Sequence, residues 1–356
     1  MNFIDKAGGI ERIVSQKANY LSNYHDIYIV TTSQKEKQYF YPINTNIKHI
    51  DFSEYSEDNL WLQKNVFKKI IKKISPDIVI AVTTKESLLL PLWGGDFITI
   101  KEMHFARGYR QRQYENINFL RFIAFYILDF VERYIYKRYD CVVALTNRDA
   151  KAWRLKNCEV IENFVPFALK EKSSQTAKRV IAVGRLDYQK GFDRLLRIWK
   201  DVALKFPEWI LTIAGDGSLK EDLVEQSKKL GIKNQVEFVG NVDQIQKYYL
   251  QSSIFVLTSR HEGLPLSLLE AMEAGLCVIS FDIFCGPNDI IEQEIDGILV
   301  EDGDERDFAM KLSKCIEDTD FRTNLAKNAT KKAKKYHIDN VMEKWLLLFK
   351  KLKDAK

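Results

Sequence analysis

The sequence predicts an α/β protein made of two doubly wound parallel-sheet domains facing each other across a cleft. Three observations carry this expectation. Short β-branched runs alternate with helix-period segments, the pattern of a parallel sheet covered by helices on both faces. The alternation stops at Ala168–Lys178, a polar stretch without periodicity that reads as a linker, and then restarts. The length, 356 residues, is that of two ordinary domains, each able to bury its own core. The expected division is residues 1–165, residues 166–335, and a terminal helix over 336–356 that packs back on the first domain.

In the first half, Ile27–Thr31, Ile78–Val82, Phe97–Ile100 and Cys141–Leu145 are apolar runs of strand length. Between them Gly9–Ser22, Asp58–Ile74, Asn116–Arg138 and Arg148–Leu155 have helical periodicity. A doubly wound domain opens with a strand, a glycine turn and a helix. Here the glycines Gly8-Gly9 have only Met1–Ile4 before them, so the first strand is very short or absent. The second half is cleaner. Val180–Val183, Ile210–Ala214, Val236–Val239, Ile254–Leu257 and Cys277–Phe281 read as strands. Gly191–Lys205, Leu219–Leu230, Pro265–Ala274 and Glu305–Glu317 read as helices, and Asn340–Leu352 as a Trp- and Leu-bearing helix. Ligands of such sheets bind outside the carboxyl ends of the strands.

Composition narrows the class. Hydrophobic residues make up 46% and charged residues 29%, the balance of a soluble globular protein. A net charge of +5 suits a phosphorylated ligand, an anionic membrane or nucleic acid without choosing among them. A nucleic-acid binder needs basic and aromatic residues lining one exposed face, which the sequence does not show, so no nucleic-acid partner is expected. The five cysteines form no CxxC pair and match no zinc spacing. Cys141 and Cys277 lie in apolar runs and read as buried thiols of a reducing compartment. No signal-peptide h-region opens the chain and no stretch is a membrane span, so a cytoplasmic location is expected.

Three strand-to-helix loops carry chemistry. RHEGLPLSLLE, Arg260–Glu270, follows the strand at Ile254–Leu257 and leads into a helix. Gly263 permits a tight turn, Pro265 suits the first helical turn, and the N–H groups of Gly263–Ser267 would face an anion or sugar oxygens. Seven residues separate Glu262 from Glu270, so the two are not an i,i+4 pair and would touch different parts of one elongated ligand. Alternatively, each is a helix-terminus or surface charge. VGRLDYQKG, Val183–Gly191, brings Arg185 and Lys190 to the sheet edge, two cations of the kind a diphosphate needs when no metal neutralises it. An ordinary solvated loop is the other reading. AGDGS, Ala214–Ser218, is a weaker turn. Neither G-x-G-x-x-G nor G-x-x-x-x-G-K-[ST] occurs, which removes support from NAD-dependent and P-loop classes.

Taken in order, VGRL…KG, IAGDG, FVG, SRHEGLPLSLLEAMEAG, GPNDII and DGILV resemble the donor domain of the family-4 retaining glycosyltransferases of the GT-B fold, two Rossmann-like domains across a cleft. The resemblance is dense over Val180–Val300 and looser elsewhere. It implies that Glu262 and Glu270 are the E-x7-E pair, the first meeting the transferred sugar and the second the nucleotide ribose. It implies that Arg185 and Lys190 hold the diphosphate, that Gly263, Leu264, Pro265 and Leu266 line the donor site, and that backbone at Gly240–Val242 flanks the base. Gly8 and Gly9, in GGIER, resemble the family's glycine loop facing acceptor and donor phosphate. His104, in KEMHF, resembles a cleft histidine near the reacting sugar; a packed or surface histidine is the other reading. The implied reaction is retaining transfer of a hexose or N-acetylhexosamine from a nucleotide-diphosphate sugar, with UDP favoured and GDP-mannose open. The implied acceptor is a saccharide, often polyprenyl-diphosphate-linked, and the product a surface polysaccharide. No DxD motif stands in a suitable strand-end loop, so no metal or other cofactor is expected.

Phe105–Arg138 interleaves Arg107, Arg110, Arg112, Arg121, Arg133, Lys137 and Arg138 with Phe119, Phe122, Phe125, Tyr126, Phe130 and Tyr134. Such a segment either lies on an anionic membrane or packs its aromatic face into the first domain. Rival functions are a same-fold sugar-nucleotide epimerase or a glycogen/starch-type enzyme, and a non-catalytic sugar-nucleotide or lipid-binding protein. Retention of both glutamates and both cations argues against a decayed site.

Overall fold

The structure, a computed structural model, describes residues 8–31, 39–51, 60–82, 84–107 and 119–356. It falls into two compact units, Met1–Pro166 with Ile338–Lys356, and Phe167–His337.

The first unit runs α1 (Gly9–Leu21), β1 (Tyr28–Thr31), β2 (Lys48–Asp51), α2 (Leu60–Ile74), β3 (Ile78–Ala81), α3 (Thr84–Trp93), β4 (Ile98–Glu102), α4 (Phe119–Tyr136), β5 (Cys141–Ala144), α5 (Asn147–Trp153) and β6 (Cys158–Val160). β3, β4, β5 and β6 form a parallel sheet in that order, and β1 pairs with β2, also in parallel. The apolar runs bury themselves as β-branched strands do: Val142 sits among Phe97, Met103, Tyr136, Tyr139 and Trp153. Thr146 caps α5 by accepting the Asp149 N–H at 3.1 Å, and Arg154 ends that helix in the left-handed region.

The second unit runs β7 (Arg179–Val183), α6 (Phe192–Lys205), β8 (Ile210–Ala214), α7 (Lys220–Lys229), β9 (Val236–Gly240), α8 (Ile245–Leu250), β10 (Ile254–Leu257), α9 (Leu266–Glu273), β11 (Cys277–Asp282), α10 (Pro287–Ile290), β12 (Ile298–Glu301), α11 (Glu305–Glu317) and α12 (Thr319–Ala333). The chain closes with α13 (Ile338–Ala355). The sheet order is β12-β11-β10-β7-β8-β9, every pairing parallel. Counted from β7, this is the 3-2-1-4-5-6 order of a dinucleotide-type doubly wound sheet. α6 buries Leu195, Leu196, Trp199 and Val202, one face at helical spacing, and leaves Arg197 and Lys200 outside. Truncating Leu195, wholly buried in this core, would cost roughly 2–5 kcal/mol. Asp304 and Asp318 cap α11 and α12 by accepting the N–H groups of Asp307 and Phe321 at 2.8 and 2.9 Å.

The structure adds detail to three sequence readings. Ala168–Lys178 has no helix or strand, yet it does not run free. Lys172 reaches Glu273 at 2.6 Å, Arg322 donates to the Gln175 carbonyl at 2.8 Å, and Gln175 donates to the Gly275 carbonyl beside the start of β11. Its polar residues satisfy backbone at the amino edge of the sheet. Gly8 and Gly9 make no left-handed turn: Gly8 has φ −143° and ψ 156°, ordinary extended backbone, and stands as the N-cap of α1. Met1–Ile4, read from the sequence as a very short or absent first strand, lies outside the described residues, as do Arg110 and Arg112. Of the aromatic segment, Ile135 and Tyr136 enter the core, whereas Tyr126, Phe130 and Tyr134 are exposed. The described residues include no helix long and apolar enough to cross a membrane.

α13 belongs to the first unit, where Lys344 and Lys351 each meet a glutamate, Glu162 and Glu159, at 2.6 Å. Cys141, Cys277, Cys285 and Cys315 are buried free thiols, Cys277 and Cys315 with their Sγ atoms 3.8 Å apart.

Candidate functional site

The strand order of the second sheet reverses between β7 and β10, and there the two strands part. β7 and β8 stay in register from Arg179↔Ile210 to Val183↔Ala214, but β7 and β10 pair only at Val180↔Ile254 and Ile181↔Phe255. Their carboxyl ends therefore diverge into the crevice that such sheets use for ligands. Two loops descend into it, Gly184–Gly191 from β7 and Thr258–Pro265 from β10. They touch at Gly191, whose φ of +66° is a left-handed conformation and whose added Cβ would meet the Thr258 carbonyl oxygen at 2.1 Å. Only glycine lets the two backbones come this close.

The loops bring an acid and a cation together. Lys190 Nζ stands 2.7 Å from Glu262 Oε1, and the Ser259 hydroxyl donates to the same oxygen at 2.6 Å. The pair is largely out of solvent, with side-chain exposures of 16% for Lys190 and 8% for Glu262. Oε2 of Glu262 takes no hydrogen bond among the described residues and remains able to accept one from a hydroxyl. Arg185 is the outer cation: its side chain is 67% exposed and 3.2 Å from Asp187. Its guanidinium therefore keeps donors that point to water.

α9 begins directly beyond Glu262. Pro265 is its N-cap rather than part of its first turn, with φ −71° and ψ 110°. Proline has no N–H, so the donors here come from Gly263, Leu264, Leu266 and Ser267, and no side chain caps the helix. Glu270 lies one turn further on, 4% exposed, and accepts the Tyr249 hydroxyl at 2.9 Å on Oε2. Glu262 thus meets Lys190, and Glu270 meets Tyr249. Behind the Glu262 loop, Gly286 has φ +100°, and a Cβ there would press on the Gly263 carbonyl at 3.0 Å and on Glu262 Cβ at 3.2 Å. The Cys285 thiol donates to the Glu262 carbonyl.

At the end of β9, Gly240 accepts the Gly215 N–H at 2.8 Å, and Gly184 donates to Ala214 O at 3.0 Å. The AGDGS turn is thereby bonded to the loops on both sides of it. Gly240 and Val242 lie at the β9 edge of the sheet, two strands from β7.

Sequence reading missed Tyr249, Ser259, Asp193 and Gly286 as site residues. Ser259 and Gly286 stood inside quoted motifs; Tyr249 and Asp193 act at long range, and no local signal marks them. Asp193 is bonded by both terminal nitrogens of Arg260, at 2.8 and 2.7 Å. Burial would push its carboxyl up, but Arg260 and the nearby Arg197 hold it below the ordinary value.

In the first unit, His104 is not an open histidine. Its side chain is 3% exposed, Nε2 is 3.6 Å from Glu102 Oε1, and that nitrogen makes no hydrogen bond among the described residues. Burial, only partly opposed by Glu102, lowers its pKa to about 4. Lys17 of α1 hydrogen-bonds Glu102 and lies 3.9 Å from the Trp345 ring of α13, while Lys101 donates to the Val82 carbonyl at 3.0 Å. Burial alone would raise the Glu102 carboxyl; Lys17 foremost, with His104 and Lys101, offsets this and holds it below its ordinary range.

A likeness among solved structures fits this architecture. The structure of Anabaena HepE in complex with UDP superposes with a TM-score of 0.77 over 99% of this chain and 100% of that one, at 17% identity. The fold is the GT-B fold. More particularly, residues 167–332 match the family model described as glycosyl transferases group 1, and the protein is a glycosyltransferase. Among curated relatives, the amylovoran biosynthesis glycosyltransferase AmsD of Erwinia amylovora is 29% identical over 354 residues, covering 96% of each chain. The GalNAc-alpha-(1->4)-GalNAc-alpha-(1->3)-diNAcBac-PP-undecaprenol alpha-1,4-N-acetyl-D-galactosaminyltransferase of Campylobacter jejuni is 28% identical over 364 residues, covering 98% of this chain and 97% of the relative.

Proposed function

We propose that this glycosyltransferase moves a hexose or N-acetylhexosamine from a UDP-sugar to a lipid-linked saccharide, with retention of configuration, in surface polysaccharide synthesis. The observation that carries the reading is the Lys190–Glu262 pair at 2.7 Å where β7 and β10 part. A sugar donor bears its charge on the diphosphate and its hydroxyls on the sugar, so a cation and a carboxylate side by side match the junction between them. Names of relatives support the rest: AmsD acts in amylovoran biosynthesis, the Campylobacter enzyme carries an undecaprenol-linked acceptor in its name, and HepE was solved with UDP.

The proposed division of labour follows from the placements. As the sugar leaves, negative charge grows on the diphosphate. Arg185, Lys190 and the uncapped N-terminus of α9, from Gly263 through Leu266, would stabilise it without a metal. Glu262 Oε2 would accept a hydroxyl of the transferred sugar, Glu270 the ribose diol, and backbone at Gly240 and Val242 the base. Gly8 and Gly9, at the N-terminus of α1, would serve the acceptor and donor phosphate. His104 is suited to hydrogen-bond a sugar hydroxyl as a neutral imidazole. A conjugate acid with a pKa of about 4 makes it a poor general base near neutral pH. The attacking hydroxyl's proton would instead go to the departing phosphate oxygen.

Contact with the cytoplasmic face of an anionic membrane belongs to the same reading. On α4, Ile127, Phe130 and Tyr134 are exposed, Phe130 by 71%, and Lys137 and Arg138 follow them on the surface. The acids of that stretch are occupied or buried, Asp129 by Arg107 and Glu132 in the interior. Such a face suits an interfacial helix, and co-sedimentation with liposomes should rise with their anionic lipid content.

The central test is Glu262→Ala. It should abolish transfer while UDP still raises the melting temperature; transfer at the wild-type rate would refute the assignment. A thermal-shift series with UDP-, GDP- and ADP-sugars identifies the donor, since stabilisation grows with ligand concentration relative to Kd.

A further inference from the structure

The loops bearing Lys190 and Glu262 have no strand pairing to fix them, because β7 and β10 have already parted. A separation of 2.7 Å between their charged ends must be set by something else. Thr258 and Gln189 each send a side-chain bond across, to the Gly191 and His261 carbonyls, and a third side chain makes several such contacts. Arg260, two residues before Glu262, donates from Nη1 to the Tyr188 carbonyl at 2.7 Å, and its guanidinium lies 4.0 Å from the Tyr188 ring centroid. The same guanidinium forks onto the Asp193 carboxylate at 2.8 and 2.7 Å. Its backbone N–H donates to the Gln189 carbonyl at 2.8 Å, and Gln189 returns a bond to the His261 carbonyl at 3.1 Å. Lys190 is therefore gripped on its two flanks, at Tyr188 and Asp193, by the residue that precedes Glu262 by two.

We propose that Arg260, oriented by Asp193, is a positioning residue of the transfer reaction: it holds Glu262 at its working distance from Lys190 and does not itself touch the donor. The inference rests on the donor-site reading above. A planar fork bound at two oxygens fixes direction as well as distance, which a lysine ammonium at the same place does not. Asp193 is itself steadied, since Arg197 lies 3.5 Å from it and reaches on to Glu305 of α11 at 2.8 Å. The grip thus runs from the catalytic loop into the helical layer. The Arg260 side chain is only 14% exposed, so the interaction is little screened.

The test compares Arg260→Lys, Asp193→Asn and Glu262→Ala in the full-length enzyme, with rates expressed per UDP-binding site so that misfolded protein drops out. Arg260→Lys should lower kcat on the order of 100-fold, the scale for misplacing a reacting group by about an ångström, with UDP affinity changed less than threefold. Asp193→Asn keeps the volume and removes one charge; it should lower kcat in the same direction and carries the test if Arg260→Lys does not fold. A role in stability alone would leave kcat per site at the wild-type value in both variants, and that result overturns the inference. Should Glu262→Ala transfer normally, the donor-site reading falls and this inference with it. An inactive Glu262→Ala beside unimpaired Arg260→Lys and Asp193→Asn would sink the positioning role alone.

Discussion

Glu270 places a carboxylate where only 4% of the residue is exposed, and a charge so placed needs a donor. Tyr249, itself without exposure, supplies one at 2.9 Å and so directs the carboxylate. Tyr249→Phe removes that hydroxyl and little volume. A hydrogen bond to a charged group is worth about 1.5–3 kcal/mol, so UDP affinity measured by calorimetry should fall roughly tenfold or more. kcat at saturating donor should change little if Glu270 meets the ribose, as proposed, and not the reacting sugar. Unchanged UDP affinity would show that Tyr249 does not orient Glu270 for binding. Both glutamates were legible in the sequence because they stand at fixed places after a strand and a proline. Tyr249 was not: its helix, Ile245–Leu250, is under two turns long and has no side-chain cap. Arg260 was quoted within its motif, but its function depends on Asp193, 67 residues earlier in the chain.

Among the elements, α9 decides how charge is met at the site. It starts without a side-chain cap, and its first amides and its dipole point toward whatever lies beyond β10. Ser267→Asp separates helix stability from ligand binding by sign. An acidic residue in the first turn should stabilise the helix by about 0.3–1 kcal/mol, so the melting temperature stays level or rises. The same charge repels a diphosphate, so the donor KM should increase several-fold, and more at low salt than at high salt. A lower melting temperature with unchanged KM would place the diphosphate elsewhere. The strands of the second sheet were readable because their runs are apolar and buried, IFVL throughout and ILTIA from Leu211 on. β2, with the sequence KHID, and β6, CEV, were not, since neither is apolar nor alternating. α12 also escaped, because its buried positions are mostly alanines and its surface is polar. α3 contains Pro91, which reads as a breaker although the helix continues through it.

At the scale of the molecule, the two units carry different electrostatic burdens. The second brings Lys190 and Glu262 together at its sheet edge, whereas the first buries a cluster of four titratable groups. His104, Glu102, Lys101 and Lys17 cluster where β4 meets α1, with Trp345 of α13 against Lys17. The consequence is a stability that depends on pH. Above pH 6.5 neither the folded nor the unfolded chain binds a proton at His104. Between 6.5 and about 4 the unfolded chain takes one that the buried imidazole refuses, so stability falls as pH falls. Full development of that gap is worth roughly 3 kcal/mol, of which about 1.4 kcal/mol is lost by pH 5.5. Glu102, held below its ordinary pKa, adds a loss of the same sign at lower pH. Urea melts at pH 7.5 and 5.5 should therefore show a smaller free energy of unfolding at the lower pH for the wild type. His104→Gln, which cannot titrate, should show a loss smaller by about 1.4 kcal/mol over that interval. Equal losses in the two proteins would mean that the imidazole is protonated in the folded state, and the neutral hydrogen-bonding role proposed for it would fall as well.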